Sequence, residues 1–549
     1  MNPNSLKVVQ INLHHSEAAT DDLLRFMEKE AIHVALIQEP WLVANKVCGI
    51  RSRNYILLFP KTKDKIRSCI LVRKDIKLFL VSNHSSGDQT VAAFERHGLP
   101  TLILTSAYLP YDEVDPPSSA VRELIKWCSK KYYDIVIGCD ANAHHTLWGS
   151  SDINIRGECL LEYLLSTNLS ICNKGNKPTF FNRIREEVID LTLVSNTDTV
   201  KIFDWKVSSE CSFSDHNRII FKIEITLNMI APFRNPRRTD WEKFGNLTAD
   251  IQLPQKEMLD SKKELDESVS LLTSTLKSAY ESSCKVSHSS KKFHQPWWSP
   301  ELKRLRRKYR KLLNRAKKRK DPKSWDDCRK SFNKFKRECR RAKRESWKKF
   351  CGDLENTSDA SRLRKVLSKD PGIPAFLMNS DGSFTESSNE TLELLMATHF
   401  PGCKDVDSED SEPEDILTSS NNVSELVVSM INEEKVAWAV SFYDQYKSEG
   451  TDGIFPALIQ RSLPFILPSL VVNFMSNLEL GYIPNKWREV RVVFIPKAGK
   501  IIHNTAKDYR SISLSSFLLK ILQRLIDVYV RSILIPQNFL SDTTRLPKS

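Results

Sequence analysis

The first 228 or so residues predict an α/β protein: two packed, mostly antiparallel sheets with helices outside, an α+β or α/β sandwich. Three observations carry that expectation. Short apolar, β-branched runs recur along the segment, and amphipathic stripes of helical period separate some of them. No regular strand-helix-strand rhythm binds them into one parallel sheet. Finally, polar residues stand where several runs should end, as if several strands delivered side chains to one rim.

In chain order, 8–11 is a buried strand followed by Asn12, and Leu23, Leu24, Met27 and Ala31 form a helical stripe. The run 34–38 ends at Glu39. Strands are expected at 55–59, 69–72 and 77–81, and 102–104 leads toward Tyr108. Val121, Leu124, Ile125 and Cys128 make a second helix. The run 135–139 is followed by Asp140 and Asn142, and Cys159, Leu160, Tyr163 and Leu164 make a third helix. Asp190 interrupts the strand-like 188–193, strands are expected at 200–206 and 219–225, and Ser214-Asp215-His216 lies between them.

Pro232, Pro236 and Arg237-Arg238 mark the exit from this domain. A helical connector follows, with Leu265, Val269, Leu272 and Leu276 along one face. Leu302, Leu305, Tyr309, Leu312 and Ala316 then form a stripe that restarts after Asp321-Pro322 as Trp325, Cys328, Phe332, Phe335, Cys339 and Ala342. Two such stripes around a proline predict an antiparallel helical hairpin with an apolar seam and Lys and Arg on its outer faces. The acidic run 405–415 cannot bury a core and reads as a disordered linker. Apolar content returns from about 423.

The chain has 549 residues, which predicts about three domains. Its 12 cysteines show neither Cys-x-x-Cys pairs nor zinc spacing, so they read as reduced thiols. There is no signal peptide and no expected span of membrane length, which implies an intracellular protein. The net charge is +14, yet residues 301–350 hold 24 Lys+Arg against 6 Asp+Glu, or +18; the remainder is 14 − 18, or −4. Basicity therefore belongs to the hairpin, where Lys303, Arg304, Arg306, Arg307, Lys317, Lys318, Arg319, Arg340, Arg341, Lys343 and Arg344 are candidate phosphate contacts. The plainer alternative is a solvated helical face.

Carboxylates, amides and one histidine meeting at one rim suit metal-assisted cleavage of a phosphodiester. Glu39 is the first choice for a Mg²⁺ ligand, with Mn²⁺ as an alternative ion, and Asn12 and Asp215 complete or flank its shell. Asp190 can fix the tautomer of His216 and raise its basicity. Asp140 serves the attacking water or the leaving group. Asn142 and Tyr108 are neutral donors for phosphate oxygens. Against this, Asp-x-Asn after a strand is often only a turn or cap. His144, His145 and Trp148 read as packing or groove residues, and Thr179 as structural.

Together, Asn12, Gln38-Glu39, Tyr108, Asp140-x-Asn142, Asp190 and Ser214-Asp215-His216 resemble the endonuclease/exonuclease/phosphatase superfamily in order and approximate spacing. The version here is similar to the apurinic-type endonuclease of non-LTR retrotransposons. Gln38-Glu39-Pro40-Trp41, Cys139-Asp140-Ala141-Asn142-Ala143-His144-His145 and Trp148-Gly149-Ser150 resemble jockey-like elements in particular. Over residues 6 to about 226 the resemblance implies a four-layered α/β sandwich in which Glu39 binds metal and Asp190 orients His216. Asn142, Tyr108 and Asp140 would handle the scissile phosphate. Thr451-Asp452-Gly453, 481–487, 494–500 and 509–514 resemble the opening motifs of a non-LTR reverse transcriptase, with Ser511 where proline is usual. That likeness implies phosphate contacts for Lys497, Lys500 and Arg510. No Phe/Tyr-x-Asp-Asp occurs, so the expected polymerase part is truncated and inactive.

The expected organisation is then a nuclease domain at 1–228, a mainly helical connector at 229–403, an acidic linker at 404–422 and an incomplete α+β fingers region at 423–549. The expected function is a Mg²⁺-dependent endonuclease that nicks target DNA in the nucleus. Its 3′-hydroxyl would prime copying of element RNA, without membrane or small-molecule substrate. The alternatives are a phosphatase of the same fold and a non-catalytic nucleic-acid-binding remnant.

Overall fold

Successive side chains of a strand point to opposite faces of its sheet, and the unbroken burial of Val34–Gln38, Asp134–Asp140 and Asp190–Ser195 shows that both faces are covered. In a computed structural model, residues 5–50, 52, 54–113, 115–224, 233–249, 258–287, 296–353, 376–403, 427–497 and 503–534 are described. The acidic linker 404–422 and Lys500 lie outside them. The chain divides into two compact units. One comprises Met1–Ile230, Lys291–Thr398 and Ala498–Asp508; the other comprises Ala231–Ser290, His399–Lys497 and Tyr509–Ser549. The basic hairpin thus shares a unit with the first 230 residues, whereas the helix carrying Leu265 to Leu276 belongs to the other unit.

Twelve strands of the first unit build two six-stranded sheets. They are β1 (Ser5–Asn12), β2 (Val34–Gln38), β3 (Tyr55–Leu58), β4 (Ser68–Arg73), β5 (Phe79–Leu80) and β6 (Gln89–Arg96). Next come β7 (Leu99–Tyr108), β8 (Asp134–Asp140), β9 (Leu169–Ile171), β10 (Asp190–Ser195), β11 (Ile202–Val207) and β12 (Ile219–Glu224). One sheet runs β11-β12-β1-β2-β4-β3 and the other β9-β10-β8-β7-β6-β5. Each holds a single parallel pair, β1 with β2 and β7 with β8, and is otherwise antiparallel. Strands β6 and β9 were not expected from the sequence. Their Thr, Ala and Ser content lacks the β-branched density that marks the others.

Three apolar interfaces make four layers. Leu6, Val8, Leu36 and Phe221 of the first sheet pack against Ala92, Leu104 and Val136 of the second. The outer face of the first sheet, with Val9, Ile11 and Ile37, meets helix α1 (Glu17–Lys29) through Leu23 and Met27. The outer face of the second, with Ile103 and Ile137, meets α2 (Ser119–Lys130) and α3 (Ile155–Leu165) through Leu124 and Leu160. Polar side chains that cross the inter-sheet layer hydrogen-bond to the backbone of the facing sheet. Gln10 Nε2 donates to Cys139 O and Leu191 O, each at 3.1 Å, and Gln38 Nε2 donates to Gly138 O at 2.9 Å. Gly138 makes room for this crossing, since a Cβ there would sit 2.8 Å from Gln10 Oε1.

The hairpin docks on the α1 side. Helices α5 (Pro300–Arg319) and α6 (Pro322–Gly352) pack on each other; here α4 denotes Lys262–Ser283 of the second unit. Lys320 takes a left-handed φ of 56°, and Asp321 caps α6 by accepting from Ser324 N at 2.8 Å. The seam buries Leu302, Leu305, Tyr309, Leu313, Ala316, Cys328, Phe335 and Cys339, with Leu313 more buried than the expected Leu312. Phe213 inserts into it, its ring centroid 5.2 Å from Tyr309 and 4.8 Å from Phe335.

In the second unit α4 buries Leu265, Val269, Leu272 and Leu276 as its spacing predicts. The expected lack of a long apolar helix needs correction. Helix α7 (Pro456–Glu479) has 24 residues and is long and apolar enough, by length and composition alone, to cross a membrane. It carries Ile466, Leu470 and Phe474 fully buried in the same core as Leu272 and Leu276 of α4. A helix at the centre of a core is apolar on several faces, which gives it that composition.

Candidate active site

Strand register assembles the site. Asp140 is paired with Tyr108 on β7 and with Asp190 on β10, so three polar residues form one row across adjacent strands. Asn12 is paired with Gln38, which puts Glu39 just beyond the matching end of the other sheet. The two rows meet where Asn12 Nδ2 donates to Asp140 Oδ2 at 2.8 Å. His216 Nδ1 lies 2.8 Å from Asp190 Oδ2, and its Nε2 lies 3.9 Å from Asp140 Oδ2 and 4.0 Å from Asp215 Oδ1. Asp140, Asp190 and His216 are all buried, with potential ligand atoms within 4.8 Å of one another.

The loops that hold these groups are strained and laced together. Glu39, Asn142, His14 and His15 all take left-handed φ between 44° and 49°, a costly region for side-chain-bearing residues. Glu39 N donates to Arg67 O at 2.8 Å, while Glu39 O accepts from His15 N at 2.9 Å. Ser214 Oγ donates to Asn12 O at 2.8 Å and accepts from His216 N at 3.2 Å. Phe213 takes φ 61° immediately before this tripeptide. Phe180 bridges to His216 through the backbone, and its ring centroid lies 5.0 Å from the imidazole.

Burial and charge set the protonation states. Burial pushes the Asp140 carboxyl up to about 7, with Asp190 adding to the rise and His216 and Asn12 opposing it. For His216, burial works against the imidazolium. Asp190, through its charge and its hydrogen bond, and Asp140 outweigh that and raise the value to about 10. Burial, then Glu39 and Asp140, push the Tyr108 phenol up to about 12, so it is a neutral donor near neutrality.

The donor set suits a hard cation. Asp190 Oδ1 is buried without a hydrogen-bond partner, and Glu39 has His15 Nε2 3.5 Å from its Oε1. Such orphaned carboxylate oxygen is what an oxygen-seeking divalent ion takes. Asn12 has less to offer: its Nδ2 serves Asp140 and its Oδ1 already accepts from His14 N at 2.7 Å. Asp215 sits at the rim, 3.1 Å from His14 Nδ1. Asn142 N donates to Asp140 Oδ1 at 3.2 Å and its Nδ2 to Leu109 O at 3.1 Å.

Two residues support the site: Arg156, which sequence reasoning missed, and Thr179, which it read as structural without its partners. Arg156 donates to Asn142 O at 2.9 Å and to Ala141 O at 3.1 Å, clamping the loop after β8. Thr179 Oγ1 accepts from the backbone N of both Ile189 and Asp190 at 3.1 Å, fixing the start of β10. An arginine in a helix's first turn and a threonine in a loop carry no signal of these distant partners. His144 reaches Asp152 at 2.6 Å, but Arg185 already supplies the cation in that cluster, 3.3 Å from Asp152 Oδ2.

The basic candidates divide. Lys303, Arg304, Arg307, Lys318, Arg319, Arg340, Arg341 and Arg344 are exposed. Others dock the hairpin rather than line its outer faces. Arg306 pairs with the buried Asp22 at 3.0 Å, Lys343 reaches Asp21 at 2.5 Å, and Lys317 lies 3.2 Å over the Phe181 ring. Arg340, although exposed, pairs with Glu17 at 2.9 Å. In the second unit, Lys497 follows the strand β13 (Arg491–Pro496), and Arg510 lies opposite Ile495 on β14 (Tyr509–Leu514).

Residues 102–220 match the family model described as "Endonuclease-reverse transcriptase". The chain is similar to the "Retrovirus-related Pol polyprotein from type-1 retrotransposable element R1" of Bradysia coprophila, at 25% identity over 72% of this chain and 41% of that protein. It is also similar to the "RNA-directed DNA polymerase from mobile element jockey" of Drosophila melanogaster, at 23% identity over 96% of this chain and 58% of that one. The chain spans about half the length of these relatives. Among solved structures, the "Endonuclease domain of TRAS1, a telomere-specific non-LTR retrotransposon" is 26% identical over 40% of this chain and 99% of that one, with a TM-score of 0.35.

Proposed function

With homologues among R1 and jockey non-LTR retrotransposon proteins, we propose that this chain is a Mg²⁺-dependent DNA endonuclease, Mn²⁺ being the alternative ion. It nicks target DNA in the nucleus and leaves a 3′-hydroxyl that primes reverse transcription of element RNA. DNA and that RNA are its partners; no membrane or small-molecule substrate takes part. No templated synthesis comes from residues 1–549 themselves, and a product in primer extension with Mg²⁺ would overturn that statement.

The observation that supports the reading most is the joining of Asp140, Asp190 and His216 to Asn12 across both sheets. Glu39 would hold the divalent ion with Asp215 alongside; when bound, the ion lowers the pKa of a water and offsets phosphate charge. Asp190 keeps His216 charged and aimed, and the imidazolium stabilises the extra negative charge that attack builds on the phosphorus oxygens. Asp140, poised near neutrality, takes the proton of the attacking water, with Asn12 holding its carboxylate in place. Tyr108 and Asn142 donate to phosphate oxygens without adding charge.

Supercoiled-plasmid nicking with and without Mg²⁺, beside Glu39→Ala and His216→Ala, tests this. Loss of about 10²-fold or more in each variant is expected. Equal nicking by wild type and variants, or none by any, defeats the reading.

A further inference from the structure

A cavity of about 600 Å³ lies between the catalytic rim and the docked hairpin, within the first unit. The sandwich contributes Trp41, Phe181, Arg183 and Asp215 to its wall, and the hairpin contributes Trp325, Phe332 and Lys336. Asp215 belongs to the cavity and to the catalytic cluster alike, its Oδ1 lying 4.0 Å from His216 Nε2. The hairpin therefore walls the space next to the reacting centre.

The lining is rich in donors. Each carboxylate in it already has a partner: the His14 ring nitrogen lies 3.1 Å from Asp215, Arg340 2.9 Å from Glu17, and Arg329 2.6 Å from Asp326. Arg183 and Lys336 make no ion pair among the described residues, although Lys336 Nζ lies 5.0 Å from the Phe332 ring centroid. The indole Nε1 of Trp325 is buried with no acceptor. Two uncommitted cations and an orphaned N–H call for an anion with several acceptor oxygens. The aromatic rings beside them call for a flat or sugar-faced group, and the volume falls within the range of nucleotide-sized ligands.

We propose that this cavity binds one nucleotide of the DNA strand being cut, next to the scissile phosphodiester. Arg183 and Lys336 hold its phosphate, and Trp41, Phe181 and Phe332 pack against its sugar and base. The hairpin is then a working wall of the nuclease, and Lys336 and Trp325 are specificity-determining residues supplied from outside the sandwich. The proposal rests on the nuclease reading given above.

The test uses the full chain in EDTA, where no cutting occurs. Affinity for a fluorescent 30-base-pair DNA duplex is measured from 50 to 300 mM salt for wild type, Arg183→Glu, Lys336→Glu and Trp325→Phe. Lys348→Glu, an exposed hairpin cation outside the cavity, is the control. Each cavity charge reversal should weaken binding about tenfold and flatten the salt slope by about 0.9 or more, while Lys348→Glu changes the slope by less. Trp325→Phe keeps the ring and loses the N–H, and should weaken binding several-fold. Unchanged affinity and slope in the cavity variants, or losses no larger than in the control, overturn the proposal. So does a loss confined to an RNA duplex of the same length. Plasmid nicking is followed in parallel. Wild type that nicks while the cavity variants bind normally defeats the cavity alone. Wild type that never nicks while those variants lose affinity defeats the nuclease reading and leaves DNA binding in place.

Discussion

Replacing Asp190 with Asn is the sharpest perturbation of this site, because it keeps the shape and removes the charge that faces His216. The imidazole is raised from 6.5 to about 10 even though burial disfavours its charged form. That gap of about 3.5 units corresponds to about 5 kcal/mol of preference for the imidazolium, at 1.36 kcal/mol per unit. Asp190, in contact at 2.8 Å, leads the three opposing carboxylates; Asp140 stands at 3.9 Å and Asp215 at 4.0 Å. An opposite charge at such range shifts a pKa by about 1–3 units, so Asp190→Asn should lower the His216 value by roughly two. Titration of the His216 ring by NMR in EDTA reads this directly, and nicking at pH 7.5 should fall by a factor on the order of 10² to 10⁴. A raised value makes His216 stabilising below pH 6.5, with the contribution lost as pH rises through about 10. The variant should therefore lose the most Tm in acid and little above pH 10. His216 titrating at the same pH in both proteins would refute the assignment of its charge to Asp190.

Four further outcomes are expected. Asp140→Asn should abolish nicking yet raise Tm at pH 8 in EDTA. The carboxyl is raised from 3.8 to about 7, which costs stability of at most about 4 kcal/mol above pH 7 and nothing below pH 4; an equal Tm gain at pH 4 would contradict this. Asp22→Asn leaves Arg25, Arg218 and Arg306 around one neutral amide and should cost about 3–5 kcal/mol in urea unfolding of the first unit. Gly138→Ala drives a Cβ to 2.8 Å from both Gln10 Oε1 and Leu36 Cδ1 and should cost about 1–3 kcal/mol by the same measurement. Saturating Mg²⁺, at about 100 times its Kd, should stabilise wild type by about 2.7 kcal/mol and Glu39→Ala by much less, as read by calorimetry.

What the sequence made legible follows from what is local. Strand ends at Asn12, Glu39, Tyr108 and Asp140 could be read because each follows an apolar run of its own, and the hairpin because its stripes and proline lie side by side. Pairing could not be read. That Asp140 lies opposite Asp190 depends on register between distant strands, and that Asn12 points at Asp140 rather than only at a metal depends on a contact 128 residues apart in the chain. Strand β6 escaped because Ala92 and Ala93 fit a tightly covered sheet, where small size serves packing better than β-propensity does. The docking cations escaped for the opposite reason. Arg306 and Lys343 look like any exposed base on an amphipathic helix until α1 presents Asp22 and Asp21 to them.

The docked hairpin also bears on how the catalytic tripeptide is held. Phe213 adopts φ 61°, a region that costs a side-chain-bearing residue of order 1 kcal/mol or more, and it does so one residue before Ser214. Its ring is stacked between Tyr309 and Phe335, and Phe332 completes the cluster at 6.1 Å. Burying an aromatic ring this way contributes several kcal/mol, more than the backbone conformation costs. The order of magnitudes matters, because the stack can impose the left-handed turn and the turn then sets where Asp215 and His216 stand. Phe335→Ala should therefore reduce nicking in the wild-type background by more than it does beside Phe213→Gly, since glycine takes φ 61° without help. Equal losses in the two backgrounds would mean that the aromatic cluster only fastens the hairpin and leaves the tripeptide to the sheets.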